Sequence, residues 1–198
     1  MKIEQAVKKA KLKAIKNQEK APARTSHSKR SADGAEGDWI PPAYTQSQQH
    51  ELDNLILSQN RCICFLEDAL ELDSYKLLRT QITQCAQAKG WNTFMITSAR
   101  PGEGKTLTSI NLAMTFAKAY NQTVLLVDCD MRQQMVYQYM GINSRMGIID
   151  HLVDGRPLKD MIIWPGIDRM TLISGGRTVN DSSELLGAPK MKSLVDEM

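Results

Sequence analysis

The chain has 198 residues, of which 42% are hydrophobic and 24% are charged, and its formal net charge is +3. This length and composition are typical of one globular domain, with or without a short appendage. No run approaches the roughly 18 apolar residues of a membrane span, and no apolar stretch follows the basic N-terminus. The sequence therefore predicts neither an integral membrane protein nor a secretory signal.

The net charge averages two unlike parts of the chain. Residues 1–30 hold ten Lys or Arg against two Asp or Glu, whereas residues 31–198 hold fifteen against twenty. Residues 1–20 predict a basic helical leader, and residues 21–49, rich in Pro, Ser, Gly and Gln, predict a flexible linker. Because the leader has no aromatic side chains for base stacking, we expect no specific nucleic-acid binding; contact with anionic lipid is an open alternative.

Residues 50–198 are expected to form the main domain, beginning with a short helix or turn at 52–57. Its remaining predicted helices are residues 70–86, 105–119, 147–153, 183–186 and 191–198. Its predicted strands are residues 61–66, 92–98, 123–127 and 170–173. The order strand, Gly-rich loop, helix, strand is a βαβ unit. The fold class is therefore predicted to be α/β, with a mainly parallel sheet flanked by helices and with ligands at the carboxyl ends of its strands.

The four cysteines are expected to be structural. Cys62 and Cys64 have no second cysteine pair and no nearby histidine to complete a zinc site. Without a secretory signal a disulfide framework is not expected. Small buried thiols are the interpretation that the spacing favours.

The strongest chemical signal is the segment 98–106, S-A-R-P-G-E-G-K-T. Its glycines let backbone N–H groups turn toward a phosphate, and the helix that follows adds its positive end. Lys105 is expected to reach the β- and γ-phosphates, and Thr106 to offer its hydroxyl to Mg²⁺. A P-loop has glycine where this chain has Ala99. The predicted nucleotide-binding residues are Pro101, Gly102, Glu103, Gly104, Lys105, Thr106 and Leu107.

A second signal is the segment 125–132, L-L-V-D-C-D-M-R, which ends the neighbouring predicted strand. Strand alternation would point Asp128 and Asp130 in the same direction, beside the P-loop. Carboxylates there can bind Mg²⁺ or accept a proton from an attacking hydroxyl. Lys105, Asp128 and Asp130 are the predicted catalytic residues, and Thr106, Asp128 and Asp130 the predicted metal ligands. Spacing leaves open which aspartate is the base.

These segments together resemble the bacterial tyrosine kinases of the CpsD/CapB type, within the wider MinD/ParA-like P-loop group. Further similar segments are 147–155, 183–186, 189–191 and 73–80, and the resemblance covers about residues 40–198. It implies an ATP- and Mg²⁺-dependent tyrosine autokinase of exopolysaccharide or capsule synthesis. It also implies a cytoplasmic protein at the inner face of the plasma membrane, a membrane-bound chain-length regulator as partner, and ring-like self-association through Asp73, Lys76 and Arg79.

The resemblance also implies a second carboxylate-bearing strand, the Walker B strand, and a Tyr-rich tail, neither of which is found before Met198. We therefore expect the 198 residues to be a fragment or a truncated product, with exposed apolar surface and weak catalysis. Two alternatives stay open: a MinD/ParA-like ATPase switch and a non-catalytic nucleotide-binding adaptor. The residues Arg100 and Pro101, in place of the Lys-Gly of the switches, favour the kinase.

Overall fold

The computed structural model describes residues 44–45, 47–65, 71–119, 122–144 and 146–198. The predicted leader and most of the predicted linker lie outside these residues. The helices are α1 (Asn54–Gln59), α2 (Leu72–Lys89), α3 (Lys105–Ala117), α4 (Val136–Tyr139), α5 (Ile148–Asp154), α6 (Ser182–Gly187) and α7 (Pro189–Glu197). Short 3₁₀ turns span Ile63–Phe65 and Leu158–Met161. None of the described helices has the length and apolar content needed to cross a membrane.

A four-stranded sheet organises the described residues, in the order β1 (Gln48–Gln49), β3 (Ile163–Trp164), β4 (Met170–Ile173) and β2 (Val124–Val127). β2 runs parallel to β4 with Val127 opposite Ile173, so both strands end at the same edge of the sheet. β3 runs antiparallel to β4, and β1 runs parallel to β3. The α/β class and the mainly parallel helix-flanked sheet are confirmed, with one antiparallel pair.

Strand alternation divides the core between the two faces of this sheet. Met170 and Leu172 of β4 belong to one buried cluster, which also includes Ile110 and Met114 of α3. Ile173 belongs to a second cluster, formed mainly by side chains of α5, α7 and the turn at Leu158–Met161. Because successive strand residues face opposite sides, one short strand anchors helices on both faces. The result is a layered helix–sheet–helix arrangement.

Residues 61–66 were predicted as a strand, and this prediction is wrong for the described part, which forms the 3₁₀ turn Ile63–Phe65. The reason is a buried side chain on α3. Asn111 accepts a hydrogen bond from Cys64 N at 2.9 Å and donates one to Arg61 O at 3.0 Å. These bonds satisfy backbone groups that a strand would direct to a neighbouring strand.

Residues 92–98 were also predicted as a strand, and the structure assigns them no strand pairing. Within the described residues, β2 pairs only with β4, and segment 92–98 is not hydrogen-bonded to the other edge of β2. A strand requires such a neighbour to satisfy its backbone. Phe94 packs on Phe116 of α3 with ring centroids 5.5 Å apart, but Trp91, Phe94 and Met95 are all exposed.

The end of the predicted linker contacts the domain. Gln48 and Gln49 form β1, and the Tyr44 ring stacks on the Trp164 ring with centroids 5.0 Å apart. The polar pair Gln48–Gln49 carries no strand signal, so its pairing with β3 was not predictable from local sequence. Neither β3 (Ile163–Trp164) nor α4 was predicted, because each has four residues or fewer.

Two of the four cysteines fit the structural interpretation well. Cys62 and Cys64 are fully buried. Burial is the main cause that raises the pKa of the Cys62 thiol to about 11, and the charge of Cys64 adds to the effect. Cys129 is half-buried, and its pKa is raised by burial and by Asp128. Cys85 lies exposed on α2. All four thiols are free.

Candidate nucleotide-binding site

The Gly-rich loop turns directly into α3 and leaves its backbone open. Gly102 and Gly104 have φ values of 80° and 90°, which favour glycine, and a Cβ built on either would meet nothing within 4 Å. Gly104 precedes the helix, and no side chain caps the N-terminus of α3. The N–H groups of the first turn, from Lys105, Thr106 and Leu107, therefore have no intrahelical acceptors and can donate to a phosphate.

The predicted loop residues differ in what they contact. Pro101 and Glu103 are exposed at the tip, and Thr106 is half-buried on the first turn of α3. Leu107 packs against the buried cluster that includes Ile110, so its side chain anchors the helix while its N–H remains part of the loop. The prediction of a phosphate loop before a helix is consistent with this geometry.

An ion pair joins the loop to the end of β2. Lys105 Nζ lies 2.8 Å from Asp130 Oδ2, and the two side chains are 32% and 24% exposed. The second carboxylate oxygen, Asp130 Oδ1, accepts hydrogen bonds from Gln133 N at 2.9 Å and Arg132 N at 3.3 Å. Burial acts to raise the pKa of Asp130. The hydrogen bond and positive charge of Lys105, together with the N–H groups of Gln133 and Arg132, outweigh it and lower the pKa overall. Asp130 is therefore held as an anion.

Asp128 has a different environment from Asp130, although alternation predicted that both would point the same way. β2 ends at Val127, so the two aspartates lie in the loop that follows it. Asp128 is 5% exposed and accepts hydrogen bonds from Asp130 N at 3.0 Å and Val136 N at 3.2 Å. Burial is the main cause that raises its pKa. Asp128 thus closes the loop between β2 and α4, and Asp130 faces the P-loop.

The segment that follows β4 contacts the loop after β2 through residues that were not predicted from the sequence. Arg132 Nε donates to Ser182 Oγ at 3.0 Å, and the buried Gln134 donates from Nε2 to Arg177 O at 2.8 Å. These bonds tie the loop after β2 to the segment after β4. The Gly175-Gly176 pair directly after a buried strand was the available signal, because ligand loops follow strand ends in such sheets.

We tested whether the residues fit a nucleotide and a magnesium ion. The open amides of the loop, the glycines and Lys105 fit a di- or triphosphate. Within the parts of the chain that the structure describes, no group of three or more His, Cys, Asp or Glu side chains could hold a metal. Mg²⁺ in phosphate sites takes only one or two carboxylates and completes its shell with phosphate oxygens and water. Thr106, Asp128 and Asp130 fit that pattern.

The residues predicted for self-association lie on or beside α2. Lys76 Nζ and Asp73 Oδ1 form an exposed ion pair at 3.0 Å. Arg79 Nη1 donates to Thr115 O of α3 at 2.8 Å, so its guanidinium holds two helices of the same chain together. Leu77, between them, is exposed. Asp73 and Lys76 are thus on the surface, whereas Arg79 has an intramolecular role.

Comparisons with known proteins agree with this geometry. Residues 94–187 match the family described as the CobQ/CobB/MinD/ParA nucleotide binding domain. The chain is 35% identical over 132 residues to EpsB of Ralstonia nicotianae, covering 65% of this chain and 17% of EpsB. It is 30% identical over 129 residues to the tyrosine-protein kinase YwqD of Bacillus subtilis, covering 65% of this chain and 54% of YwqD.

Solved structures give the same result for the fold. The kinase domain of the Escherichia coli tyrosine kinase ETK matches with a TM-score of 0.64 at 23% identity, covering 76% of this chain and 62% of that domain. The VpsO kinase domain matches with a TM-score of 0.54 at 30% identity, covering 64% of this chain and 63% of that domain. The chain thus spans under two thirds of these domains.

The resemblance found in the motifs is confirmed by sequence and fold together. The P-loop segment and the segment with the two aspartates after β2 both lie within the family match at 94–187. Residues 94–187 are similar to the CobQ/CobB/MinD/ParA nucleotide binding domain, and the chain is similar in sequence to bacterial tyrosine-protein kinases.

Proposed function

We propose that the chain is the nucleotide-binding part of an ATP-dependent protein-tyrosine autokinase. The observation that carries this proposal is the 2.8 Å contact between Lys105 of the Gly-rich loop and Asp130 after β2. It places a phosphate-binding cation and a carboxylate at one edge of the sheet, where open α/β sheets bind ligands. The similarity to YwqD and to the ETK domain supports a tyrosine as the phosphate acceptor.

In this proposal the loop from Pro101 to Leu107 holds the phosphates of ATP. Its amides and Lys105 neutralise the charge that develops on the transferred group. Mg²⁺ would supply further neutralisation when bound, held by Thr106 and by one of Asp128 and Asp130. The tyrosine oxygen attacks the γ-phosphorus, the bond from that phosphorus to the bridging oxygen breaks, and ADP leaves. The aspartate that does not bind the metal accepts the phenol proton.

The proposed setting is the control of exopolysaccharide or capsule polymerisation and export. We propose that the protein acts in the cytoplasm at the inner face of the plasma membrane, on a membrane-bound polysaccharide chain-length regulator. The basic residues of the predicted leader 1–20 would favour an anionic membrane surface, at roughly 1 kcal/mol for each basic residue near it. Self-association into a ring through Asp73, Lys76 and Arg79 would bring a tyrosine of one subunit to the site of its neighbour.

The test is transfer of radiolabelled γ-phosphate from ATP to tyrosine in the full-length protein. We expect phosphotyrosine in the wild type and a loss of at least about 100-fold in Lys105→Ala, because the loop cation stabilises the transferred phosphoryl group. Lys159→Ala is the matched control, because Lys159 is an exposed lysine on the Leu158–Met161 turn, outside the loop. It should keep wild-type activity.

The other outcomes separate the alternative functions. Release of free phosphate without phosphotyrosine would contradict the kinase and favour the ATPase switch. Nucleotide binding without either product would favour the non-catalytic adaptor. Failure of the wild type to bind ATP or ADP would contradict all three.

A further inference from the structure

Two carboxylates of the protein bind hydrogen-bond donors of the loop that could otherwise bind a phosphate. The first is Glu103, whose Oε2 accepts a hydrogen bond from Arg100 N at 3.1 Å within the loop itself. An inward-turned N–H in such a loop is a phosphate donor, because consecutive amides form an anion-binding concavity. Glu103 thus presents a carboxylate oxygen to one of the loop's own amides.

The second carboxylate is Asp130, which holds the loop cation. Its Oδ2 lies 2.8 Å from Lys105 Nζ, and the Gln133 and Arg132 N–H groups fix its other oxygen. Lys105 begins α3, and no side chain caps the N-terminus of that helix. A carboxylate and a phosphate oxygen compete for the same donors, since both are anionic acceptors with similar hydrogen-bond lengths.

We propose that Glu103 and Asp130 act as internal phosphate mimics, so that a nucleotide enters the loop by displacing both carboxylates. This rests on the proposed nucleotide-binding function of the loop. The two contacts involve different donors, the Arg100 amide and the Lys105 ammonium. Each carboxylate therefore weakens nucleotide binding independently, and displacement releases Asp130 Oδ2 at the moment when the phosphates arrive. Glu103 is in this view a residue that sets affinity and takes no part in transfer.

The test is ADP binding to the full-length protein in metal-free buffer containing EDTA, measured by isothermal titration calorimetry. Without metal, Asp130 has no ligand role that could confound the result. We expect Glu103→Gln to bind ADP about two- to threefold more tightly, as for loss of an exposed contact, and Asp130→Asn about three- to tenfold more tightly. Glu103→Ala should act like Glu103→Gln, and the double variant should show the product of both effects.

The matched control is Asp160→Asn, which removes one negative charge at an exposed position on the Leu158–Met161 turn. It should leave ADP affinity unchanged, which separates local competition from the overall charge. Unchanged or weaker ADP binding in both Glu103→Gln and Asp130→Asn, with wild-type melting temperatures, would overturn the proposal. A wild type that binds no nucleotide would instead contradict the proposed function, so the two failures are distinguishable.

Discussion

At the scale of single residues, Asp128 and Asp130 illustrate how local environment separates two neighbouring carboxylates. Asp128 is buried, and that burial raises its pKa although the backbone N–H groups of Asp130, Val136 and Met135 oppose the shift. Partial burial opposes a low pKa of Asp130, but the Lys105 ammonium and the N–H groups of Gln133 and Arg132 lower that pKa overall. One side chain therefore organises the loop, and the other is available to the phosphate site as a stable anion.

The lowered pKa of Asp130 predicts a pH dependence of stability. A carboxyl whose folded pKa is depressed stabilises the fold above its unfolded pKa, about 3.9, and loses that contribution as the pH falls through the folded value. Wild type should exceed Asp130→Asn by about 0.5–1 kcal/mol between pH 5 and 7, as for a partly exposed ion pair, and the difference should shrink below about pH 4. Urea unfolding from pH 7 to 3.5 measures it.

The control for this pH experiment is Lys105→Met, which removes the partner of Asp130 and keeps the carboxyl. The free energy of unfolding of Lys105→Met should fall less steeply at acid pH than that of the wild type, because the Lys105 ion pair that lowers the pKa of Asp130 is gone. A stability difference between wild type and Asp130→Asn that is constant from pH 7 to 3.5 would contradict the prediction.

Part of the candidate site was predictable at this scale. Gly102, Gly104 and Lys105 form a local pattern whose geometry depends on adjacent residues, and Asp130 follows an apolar strand at the expected edge. Arg132 and Gln134 were not predictable, because their partners Ser182 and Arg177 are 50 and 43 residues away. Such contacts depend on strand order, which no single segment of sequence determines.

At the scale of elements, a predicted strand formed only where a neighbouring strand paired with it. Met170–Ile173 was predicted correctly, since it is apolar and lies between two other strands of the sheet. Segment 92–98 has comparable strand propensity but pairs with no strand among the described residues. Propensity describes a fit to a half-buried pleated surface, so it cannot indicate whether that surface is present. Long helices such as α2 and α3 satisfy their own backbones and were therefore predicted well.

Close backbone contact at the start of α5 predicts a strong effect of one substitution. A Cβ on Gly147 would lie 2.1 Å from Ser174 O and 2.3 Å from Gly176 N, both backbone atoms after β4. Gly147→Ala must therefore separate α5 from β4, and we expect a loss of about 2–4 kcal/mol in the free energy of unfolding. Urea denaturation monitored by circular dichroism gives the value.

The matched glycine for that experiment is Gly187, the last residue of α6. A Cβ there would meet nothing within 4 Å, so Gly187→Ala should be neutral or stabilise the protein by up to about 0.5–1 kcal/mol. Equal effects of the two substitutions would mean that the contact of α5 with the end of β4 does not limit stability.

At the scale of the whole molecule, the edge strand β2 of the described sheet is less buried than its inner neighbour β4. β4 is largely buried, whereas all four residues of β2 are half-buried. Segment 91–95 adds exposed apolar side chains, and Met95 is 83% exposed. An apolar strand that is paired on one side only, as β2 is among the described residues, and exposed apolar side chains both favour association between chains.

The last prediction concerns self-association of the 198-residue chain through this region. Its weight-average mass should rise above 22.2 kDa as concentration increases, measured by sedimentation velocity. Met95→Lys should reduce that rise, because a lysine on an exposed edge segment opposes pairing between chains. Leu55→Lys, at a side chain 71% exposed on α1, is the matched control and should not reduce it. A wild type that is monomeric at all concentrations would contradict the predicted self-association. Equal effects of both variants would contradict its assignment to segment 91–95 and would indicate nonspecific contacts across the apolar surface.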